Sequence, residues 1–115
     1  MPDQAARAVL RPYGWEKYFT HRLGHGIGLQ VHESPYLRGG SDDIILNGHT
    51  FSDEPGVYIS DEVGGSHSYN EDAQGDQSLY QIGVRLEDCF YIDESGNGVY
   101  LTEKVGGQAT SPWQP

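Results

Sequence analysis

Three histidines and a glutamate lie close together in the first third of the chain and could bind a metal ion. They are His21, His25, His32 and Glu33, within 13 residues of sequence. Histidine nitrogens and carboxylate oxygens are the usual protein ligands of catalytic divalent metals. The spacing is not that of the HExxH helix of zinc proteases. A single histidine is more often an ordinary core or surface residue than a ligand, so the cluster as a whole carries the prediction.

The position of these histidines depends on the backbone between them. Three glycines spaced by two surround His25, and together they would cost a helix about 3 kcal/mol relative to alanine. Residues 20–33 are therefore predicted to form a strand that other backbone approaches closely. His25 and His32 are seven residues apart and would face opposite sides of a regular strand. Both reach one cavity only if the strand bulges or ends between them, which the glycines would permit.

A second group of residues with possible chemistry is the string Asp53-Glu54-Pro55-Gly56. It lies within a strand predicted over residues 51–59, with a turn or bulge at the Pro-Gly pair. A carboxylate just before such a kink is held rigidly and can point into a site. Most strings of this kind are simply turns, so this signal is weak by itself.

A third group follows on a strand predicted over residues 82–92. Arg85 and Glu87 are two residues apart and share one face of that strand. An exposed charge pair is the simplest explanation. The opposite face is apolar except for Asp88, and this apolar face predicts instead a strand that is buried on both sides. Charged side chains on a buried strand must pair or bind metal.

Composition limits the functions that these residues can serve. The 115 residues suffice for one domain with a modest core. With 17 Asp and Glu against 7 Lys and Arg, the formal net charge is −10, which argues against a nucleic-acid partner. No apolar run approaches a membrane span, so no membrane partner is expected. The single cysteine, Cys89, fits a reducing compartment, and we expect a cytoplasmic protein with a quiet core thiol at this position.

The elements that position the three groups are predicted to be one helix followed by mostly antiparallel strands, an α+β fold. The helix covers residues 3–11, with Asp3 as its N-cap. Residues 34–50 are expected to form a loop, and residues 60–81 a polar, solvated one. Gly96-Asn97-Gly98 predicts a hairpin turn.

The three groups together resemble a known family. The strings HRLGHGIGLQVHESP, FSDEPGVYI and GVRLEDCFYI with a following LT, in that order, resemble the pita-bread metallopeptidases, and within them the Xaa-Pro aminopeptidase and prolidase branch. The resemblance covers residues 15–102, interrupted at 60–81. It implies that residues 1–115 form a single, N-terminally truncated pita-bread catalytic domain, corresponding to its C-terminal part. Residues 60–81 would then be a polar insertion or an unspliced intron, and residues 106–115 a tail.

The resemblance also implies a function and a role for each candidate residue. Such enzymes use two divalent metal ions, typically manganese, to cleave peptides with proline in the second position. The matching metal ligands are His25, Glu54 and Glu87, with Glu54 also acting as general base. His32 matches the residue that stabilises the tetrahedral intermediate, and His21 and Arg85 match residues of the substrate side.

One part of the family pattern is missing from this stretch of sequence. The family supplies two aspartate ligands upstream of the histidine cluster, whereas only Asp3 precedes His21 here. One ion would keep three protein ligands and the other only Glu87, so we expect the chain alone to be inactive. Two other hypotheses remain open: a non-catalytic module that binds peptides or a protein, and a truncated gene product without independent function. The strand edges that a missing half would expose are compatible with a homo-oligomer.

Overall fold

The chain begins with a short helix whose sequence explains its limits. The computed structural model describes residues 1–59 and 82–108, and the backbone alone of 70–71 and 77–78. Helix α1 spans Pro2–Leu10; proline fits the first helical position, and alanine, leucine and arginine favour the rest. Asp3 was predicted to be the N-cap, and this is wrong, because Met1 takes the cap position and Asp3 lies buried inside the first turn.

The described residues after the helix form two 3₁₀ turns and nine strands, and every strand pairing is antiparallel. The 3₁₀ turns are Arg11–Tyr13 and Glu16–Tyr18. The strands are β1 Gly24–Gly26, β2 Glu33–Leu37, β3 Thr50–Asp53, β4 Gly56–Ile59, β5 Asn70–Glu71, β6 Gln77–Ser78, β7 Ile82–Arg85, β8 Asp88–Ile92 and β9 Gly98–Tyr100. Five of them form a sheet in the order β2-β1-β3-β8-β9, while β4 pairs with β7 and β5 with β6. The predicted α+β class is confirmed. No helix within the described ranges is long and apolar enough to cross a bilayer.

The predicted strand over residues 20–33 is wrong in extent. Only Gly24–Gly26 is strand, and the chain returns as β2 in part of the predicted 34–50 loop. The pairing of β1 with β2 shifts register between His25 and Gly26. The irregularity that two histidines sharing a cavity require therefore comes directly after His25.

The two later strands are each divided in two. The strand predicted over 51–59 is β3 and β4, which belong to different sheets and are separated by Glu54 and Pro55. The strand predicted over 82–92 is β7 and β8, separated at residues 86–87. The expectation of a strand buried on both faces is wrong at β7, whose four residues are all exposed. In the part of the chain that the structure describes, β7 pairs with β4 alone.

The remaining predictions divide between tested and untested positions. The hairpin turn at 96–98 is confirmed, because β8 pairs with β9 around it and Gly96 has a φ of 82°, which glycine adopts at little cost. Most of residues 60–81 lies outside the described ranges, apart from the paired backbones of β5 and β6. The predicted tail, 106–115, is described only as far as residue 108.

The core is small and lies between α1 and the five-stranded sheet. Its buried apolar side chains are Phe19, Leu23, Leu37 and Phe51. Phe51 is fully buried and stacks on Phe90 of β8, with ring centroids 5.4 Å apart. Such aromatic pairs add stability beyond the area they bury.

A buried ion pair joins the helix to the segment that carries the first histidines. Asp3 is 1% exposed, and its Oδ2 accepts a hydrogen bond from Arg7 Nε at 2.8 Å. Its Oδ1 accepts the Leu23 backbone N–H at 3.0 Å. The two terminal nitrogens of Arg7 donate to the carbonyls of Phe19 and His21, at 2.6 and 2.7 Å. Two side chains thus hold backbone groups at 19, 21 and 23, immediately before β1.

One apolar face is left uncovered by the described residues. A groove of about 950 Å³ lies between α1 and the β4–β7 hairpin. Its walls include Val9, Trp15, Ile82 and Val84, each more than 45% exposed. Apolar surface of this extent on a small domain marks a place where another segment or protein packs.

The ion pair gives a first testable prediction. Asp3→Ala should lower the free energy of unfolding by about 3 kcal/mol, because it leaves the mostly buried Arg7 guanidinium without its carboxylate. It also removes one of the two acceptors of the Leu23 N–H, which still donates to the Leu37 carbonyl. Glu16→Ala is the matched control, since its pair with Arg11 is at the surface and should matter little. Urea unfolding followed by circular dichroism measures both, and equal losses would contradict a special role for Asp3.

Candidate metal centre and substrate cleft

His25 is fixed by a strand that lies unusually close to its neighbours. A Cβ atom added at Gly24 would come within 1.9 Å of the Ser52 carbonyl oxygen, and one at Gly26 within 2.6 Å of the Glu33 carbonyl oxygen. Only glycine fits such close backbone approaches. The His25 N–H donates to Ser52 Oγ at 3.1 Å. The glycine spacing that predicted a closely approached strand therefore has this physical basis.

The side chain of His25 meets that of Glu54 inside the protein. His25 is 6% exposed, and its Nε2 lies 2.9 Å from Glu54 Oε1. The contact has ion-pair distance without hydrogen-bond geometry, and within the described residues Oε1 is a buried oxygen with no hydrogen-bond partner. Glu54 is held by its backbone N–H, which donates to Leu23 O at 2.7 Å just before β3 gives way to Pro55.

The contact of His25 Nδ1 indicates the tautomer of this ring. Nδ1 lies 3.0 Å from the carbonyl oxygen of Gly26, and a carbonyl can only accept, so Nδ1 carries the proton. In the neutral ring Nε2 then presents a lone pair toward the carboxylate. Two lone pairs at this distance repel each other unless a proton or a metal cation lies beside both. A divalent ion held by both His25 and Glu54 would remove this repulsion.

The pair therefore has the donor chemistry of a divalent metal site, as far as the described residues go. Histidine Nε2 with Nδ1–H held by a backbone carbonyl is the usual orientation of a metal-binding histidine. Among the described residues, however, no group of three His, Cys, Asp or Glu side chains is close enough to hold an ion. Glu87, the third predicted ligand, is exposed in the break between β7 and β8. The structure thus brings two of the three predicted ligands together.

His32 lies beside the same pair, from the loop that precedes β2. Its ring centroid is 4.3 Å from that of His25, and the residue is exposed. The sequence requires the strand to bulge or end between His25 and His32 if both are to reach one cavity. Strand β1 ends at Gly26, so this condition is met. His32 can therefore reach a molecule in the cleft while His25 stays buried.

His21 and Arg85 are joined through a tyrosine that sequence reasoning did not single out. Arg85 Nε donates to the Tyr58 hydroxyl at 2.7 Å, and that hydroxyl lies 3.1 Å from His21 Nε2. His21 Nδ1 lies 2.7 Å from the Arg22 carbonyl oxygen and so carries the ring proton. In the neutral ring Nε2 then accepts a hydrogen bond, so the Tyr58 hydroxyl donates to it. The hydrogen bonds therefore run in one direction, from Arg85 through Tyr58 to His21. The hydrogen bond from the guanidinium to Tyr58 raises the pKa of Arg85.

Arg85 also reaches the candidate base. Its Nη1 lies 3.6 Å from Glu54 Oε2, at the edge of ion-pair distance. Because Arg85 is largely exposed, this contact contributes little to stability. Its consequence is positional, since it connects the Tyr58 network with the carboxylate beside His25.

These residues surround one cleft of about 490 Å³. Its walls contain His21, His25, His32, Glu54 and Arg85, five of the six residues to which the sequence assigns site roles. The ion pair of Asp3 and Arg7 lies on the same cleft. Neither Asp3 nor Arg7 was predicted for the site, although their spacing of four on a predicted helix placed them on one face.

Cys89 and a nearby carboxylate have no part in this cleft. Burial, with Glu87, Asp88 and Glu54 adding repulsion, raises the pKa of the Cys89 thiol, so it remains protonated and unreactive. Burial also raises the pKa of Asp53, opposed by the hydroxyl of Tyr100, which donates to it at 2.9 Å. Burial and Asp53 together raise the pKa of Tyr100 to about 12.

The chain is similar to known metallopeptidases. A protein-family model for metallopeptidase family M24 matches residues 2–94. The chain is 37% identical over 94 residues to an Xaa-Pro dipeptidase of Lactobacillus delbrueckii subsp. lactis, and 52% identical over 94 residues to a probable dipeptidase PepE of Mycobacterium bovis. In each case the match covers 82% of this chain and 20% of the relative. The chain thus spans about a fifth of the length of these relatives.

Solved structures show the same likeness. The prolidase from Pyrococcus furiosus superposes with a TM-score of 0.65 and 33% identity, over 88% of this chain and 24% of that one. The dipeptidase PepE from Mycobacterium ulcerans gives a TM-score of 0.62 and 36% identity, over 85% and 21%. The likeness holds at both the sequence and the fold level.

The close backbone approach at β1 gives a second prediction. Gly24→Ala should lower the free energy of unfolding by about 3 kcal/mol or more, because its methyl group would overlap the Ser52 carbonyl and push β1 from β3. Gly39→Ala is the control, since its Cβ meets only Asp3 Oδ2 at an ordinary 3.5 Å. Thermal unfolding compares them, and a fully stable Gly24→Ala protein would show that this packing is not needed.

Proposed function

Because the chain belongs to metallopeptidase family M24 and corresponds to the C-terminal part of a pita-bread metallopeptidase, we propose that it contributes half of a metal-dependent hydrolase of Xaa-Pro peptides. Relatives named Xaa-Pro dipeptidase and prolidase support this substrate class. Manganese is the proposed metal. The remaining metal ligands, two aspartates in the family pattern, would come from residues beyond this stretch.

One observation carries the proposal. His25 Nε2 and Glu54 Oε1 lie 2.9 Å apart, and within the described residues no hydrogen bond joins them. A buried carboxylate oxygen without a partner is costly, and a cation bound by both groups removes that cost. His25 and Glu54 would hold such an ion, with Glu87 as the proposed third ligand from this chain.

The residues around this pair suit hydrolysis of a peptide bond. A divalent ion bound there supplies Lewis acidity and lowers the pKa of water. Glu54 is placed to take a proton from the attacking water. His32, exposed above the buried pair, can donate a hydrogen bond to the scissile carbonyl as negative charge develops on its oxygen. Arg85 and His21, linked through Tyr58, then orient the substrate on the other side of Glu54.

The apolar groove supports the view that this chain is one half of a domain. Its relatives are about five times longer, and the face between α1 and the β4–β7 hairpin is open in the described residues. The occupant we propose is the preceding half of the catalytic domain, supplied in the same polypeptide or by another one. That half would cover apolar surface and bring the missing aspartates to the same site.

The pairing of β4 with β7 supports the proposal of an insertion between these two strands. Ile59 pairs directly with Ile82, so removing residues 63–81 would leave three residues between the two strands. A three-residue loop is a common hairpin connection. We propose that residues 63–81 are additional to the catalytic domain, as a surface insertion or an unspliced short intron that is translated with the rest of the chain.

A third prediction tests the metal pair directly. Manganese at ten times its Kd should stabilise the chain by about 1.4 kcal/mol through mass action, which raises the melting temperature by on the order of 5 °C. His25→Ala and Glu54→Gln should each abolish this rise, whereas Glu103→Gln, an exposed carboxylate elsewhere, should retain it. Differential scanning calorimetry with and without the metal measures the effect. A rise that survives both ligand substitutions would place the ion elsewhere.

A fourth prediction concerns turnover. The chain alone should not hydrolyse Xaa-Pro peptides with manganese, because binding without a complete site does not lower the barrier. When the chain is fused C-terminally to the preceding part of a relative, and residues 63–81 are deleted, the fusion protein should hydrolyse these peptides. In that protein His32→Ala should lower kcat by about 10²-fold or more, the usual cost of losing an oxyanion donor.

The control for this experiment is His49→Ala, a histidine outside the cleft, which should leave kcat nearly unchanged. Rates are normalised to folded protein so that instability is not mistaken for lost chemistry. Turnover by the 115-residue chain alone would overturn the need for the missing ligands. A joined protein that folds and binds manganese without turnover would favour a non-catalytic peptide-binding module.

A further inference from the structure

The loop that carries His32 has no apolar anchor among the described residues. Residues 28–32 lie between β1 and β2 and are all exposed. Leu29 is fully exposed and Val31 is 71% exposed. Burial of apolar side chains, which holds most segments of a protein in place, is therefore missing from this loop. The position of His32 depends on polar contacts instead.

The polar contacts of this loop begin at the carboxylate of Glu33, the first residue of β2. Its Oε2 accepts a hydrogen bond from the Gln30 backbone N–H at 3.0 Å. The Gln30 carbonyl in turn accepts the Gly28 N–H at 3.2 Å. Hydrogen bonds to an ionised acceptor are stronger than those between neutral groups. The Glu33 side chain thereby ties the middle of the loop to the start of the following strand.

The glycine at position 28 makes room for this carboxylate. A Cβ atom added to Gly28 would overlap Glu33 Oε1, so the carboxylate packs directly against the Gly28 backbone. At Gly24 and Gly26 the nearest atom to an added Cβ is a backbone oxygen, whereas at Gly28 it is the end of a flexible side chain. Alanine at position 28 would therefore displace the carboxylate and leave the strands in place.

Glu33 itself does not face the cleft. The sequence groups it with the three histidines as a possible metal ligand, but in the described part of the chain the cleft walls contain the histidines and not Glu33. Its backbone pairs with Gly26, directly after the register shift that follows His25. Glu33 thus joins the segments that carry His25 and His32, two rings whose centroids are 4.3 Å apart.

We infer that Glu33 is a positioning residue for His32, because its carboxylate fixes residues 28–32 so that the exposed His32 ring stays beside the buried His25. This inference rests on the proposed function, in which His32 donates a hydrogen bond to the scissile carbonyl. Such a donor stabilises developing charge only when its position is set in advance. Since Glu33 lies outside the cleft walls, its effect on the reaction passes through His32.

The first experiment follows the ring protons of His25 and His32 by NMR in the 115-residue chain, with EDTA present so that no metal contributes. The unsubstituted chain should show a nuclear Overhauser effect between the two rings. Glu33→Ala and Gly28→Ala should each abolish it, because the loop loses its carboxylate contact. Glu33→Gln should retain it, since the amide oxygen of glutamine can accept the Gln30 N–H.

The second experiment measures turnover in the fusion protein described above. Glu33→Ala should lower kcat by about tenfold or more, the range for a hydrogen bond to a charged group, and leave KM nearly unchanged. In a protein that already carries His32→Ala, the same substitution should change kcat by no more than about twofold, because two residues that act as a unit are not additive. A general loss of structure would instead lower kcat equally in both backgrounds.

The matched control is Glu94→Ala, which removes an exposed carboxylate from the turn between β8 and β9 and should keep both the ring contact and kcat. Three results would overturn the inference: no ring contact in the unsubstituted chain, a contact that survives both Glu33→Ala and Gly28→Ala, or equal losses of kcat with and without His32. Failure of the proposed function looks different, because the unsubstituted fusion protein is then inactive while the ring contact still depends on Glu33.

Discussion

The buried pair of Asp3 and Arg7 is the interaction on which the rest of the site depends. A carboxylate that is 1% exposed and a guanidinium that is mostly buried each lose hydration, and the loss is offset only because every bond is made. Those bonds end on backbone groups at 19, 21 and 23. Leu23 in turn accepts the Glu54 N–H and donates to Leu37. The Asp3–Arg7 pair in the first turn of α1 thereby fixes the backbone before His25. Through Leu23 it also fixes the neighbouring segments that contain Leu37 and Glu54.

The chemistry-bearing side chains lie where regular pairing stops. Glu54 sits between β3 and β4, which belong to different sheets, and Glu87 lies in the break between β7 and β8. His32 precedes β2 after a loop, and His25 comes directly before a register shift. At such points a side chain is freed from the alternation of a strand, so His25, His32 and Glu54 from three segments can face one cleft. The glycines of β1 allow the paired backbones to come close enough for this.

The sequence predicted the family, the α+β class and five of the residues that line the cleft, because each rests on local strings that survive without tertiary context. The extents of the strands could not be predicted in the same way. Apolar residues alternate along 82–92 without a break, and nothing local shows that residues 86–87 divide this strand between sheets. Within 51–59 the Pro-Gly pair predicts a turn or bulge, but not that the two halves join different sheets. Asp3 illustrates the same limit: as a capping residue it satisfies every local rule, and its actual partners are Arg7 and the Leu23 N–H, 20 residues away. Tyr58 was missed because its partners, Arg85 and His21, are also far away in sequence.

The small core explains why the open groove matters to the site. Four apolar side chains are buried in the described residues, whereas Val9, Trp15, Ile82 and Val84 of the groove remain exposed. Burying a side chain of this kind contributes about 1.5–3 kcal/mol, so covering the groove would add a stabilisation comparable to that of the present core. The groove lies on β4 and β7, the hairpin that carries Tyr58 and Arg85. In the function that we propose, a partner that covers the apolar face of this hairpin would also fix its polar residues beside Glu54, so that one event would cover the groove and complete the cleft.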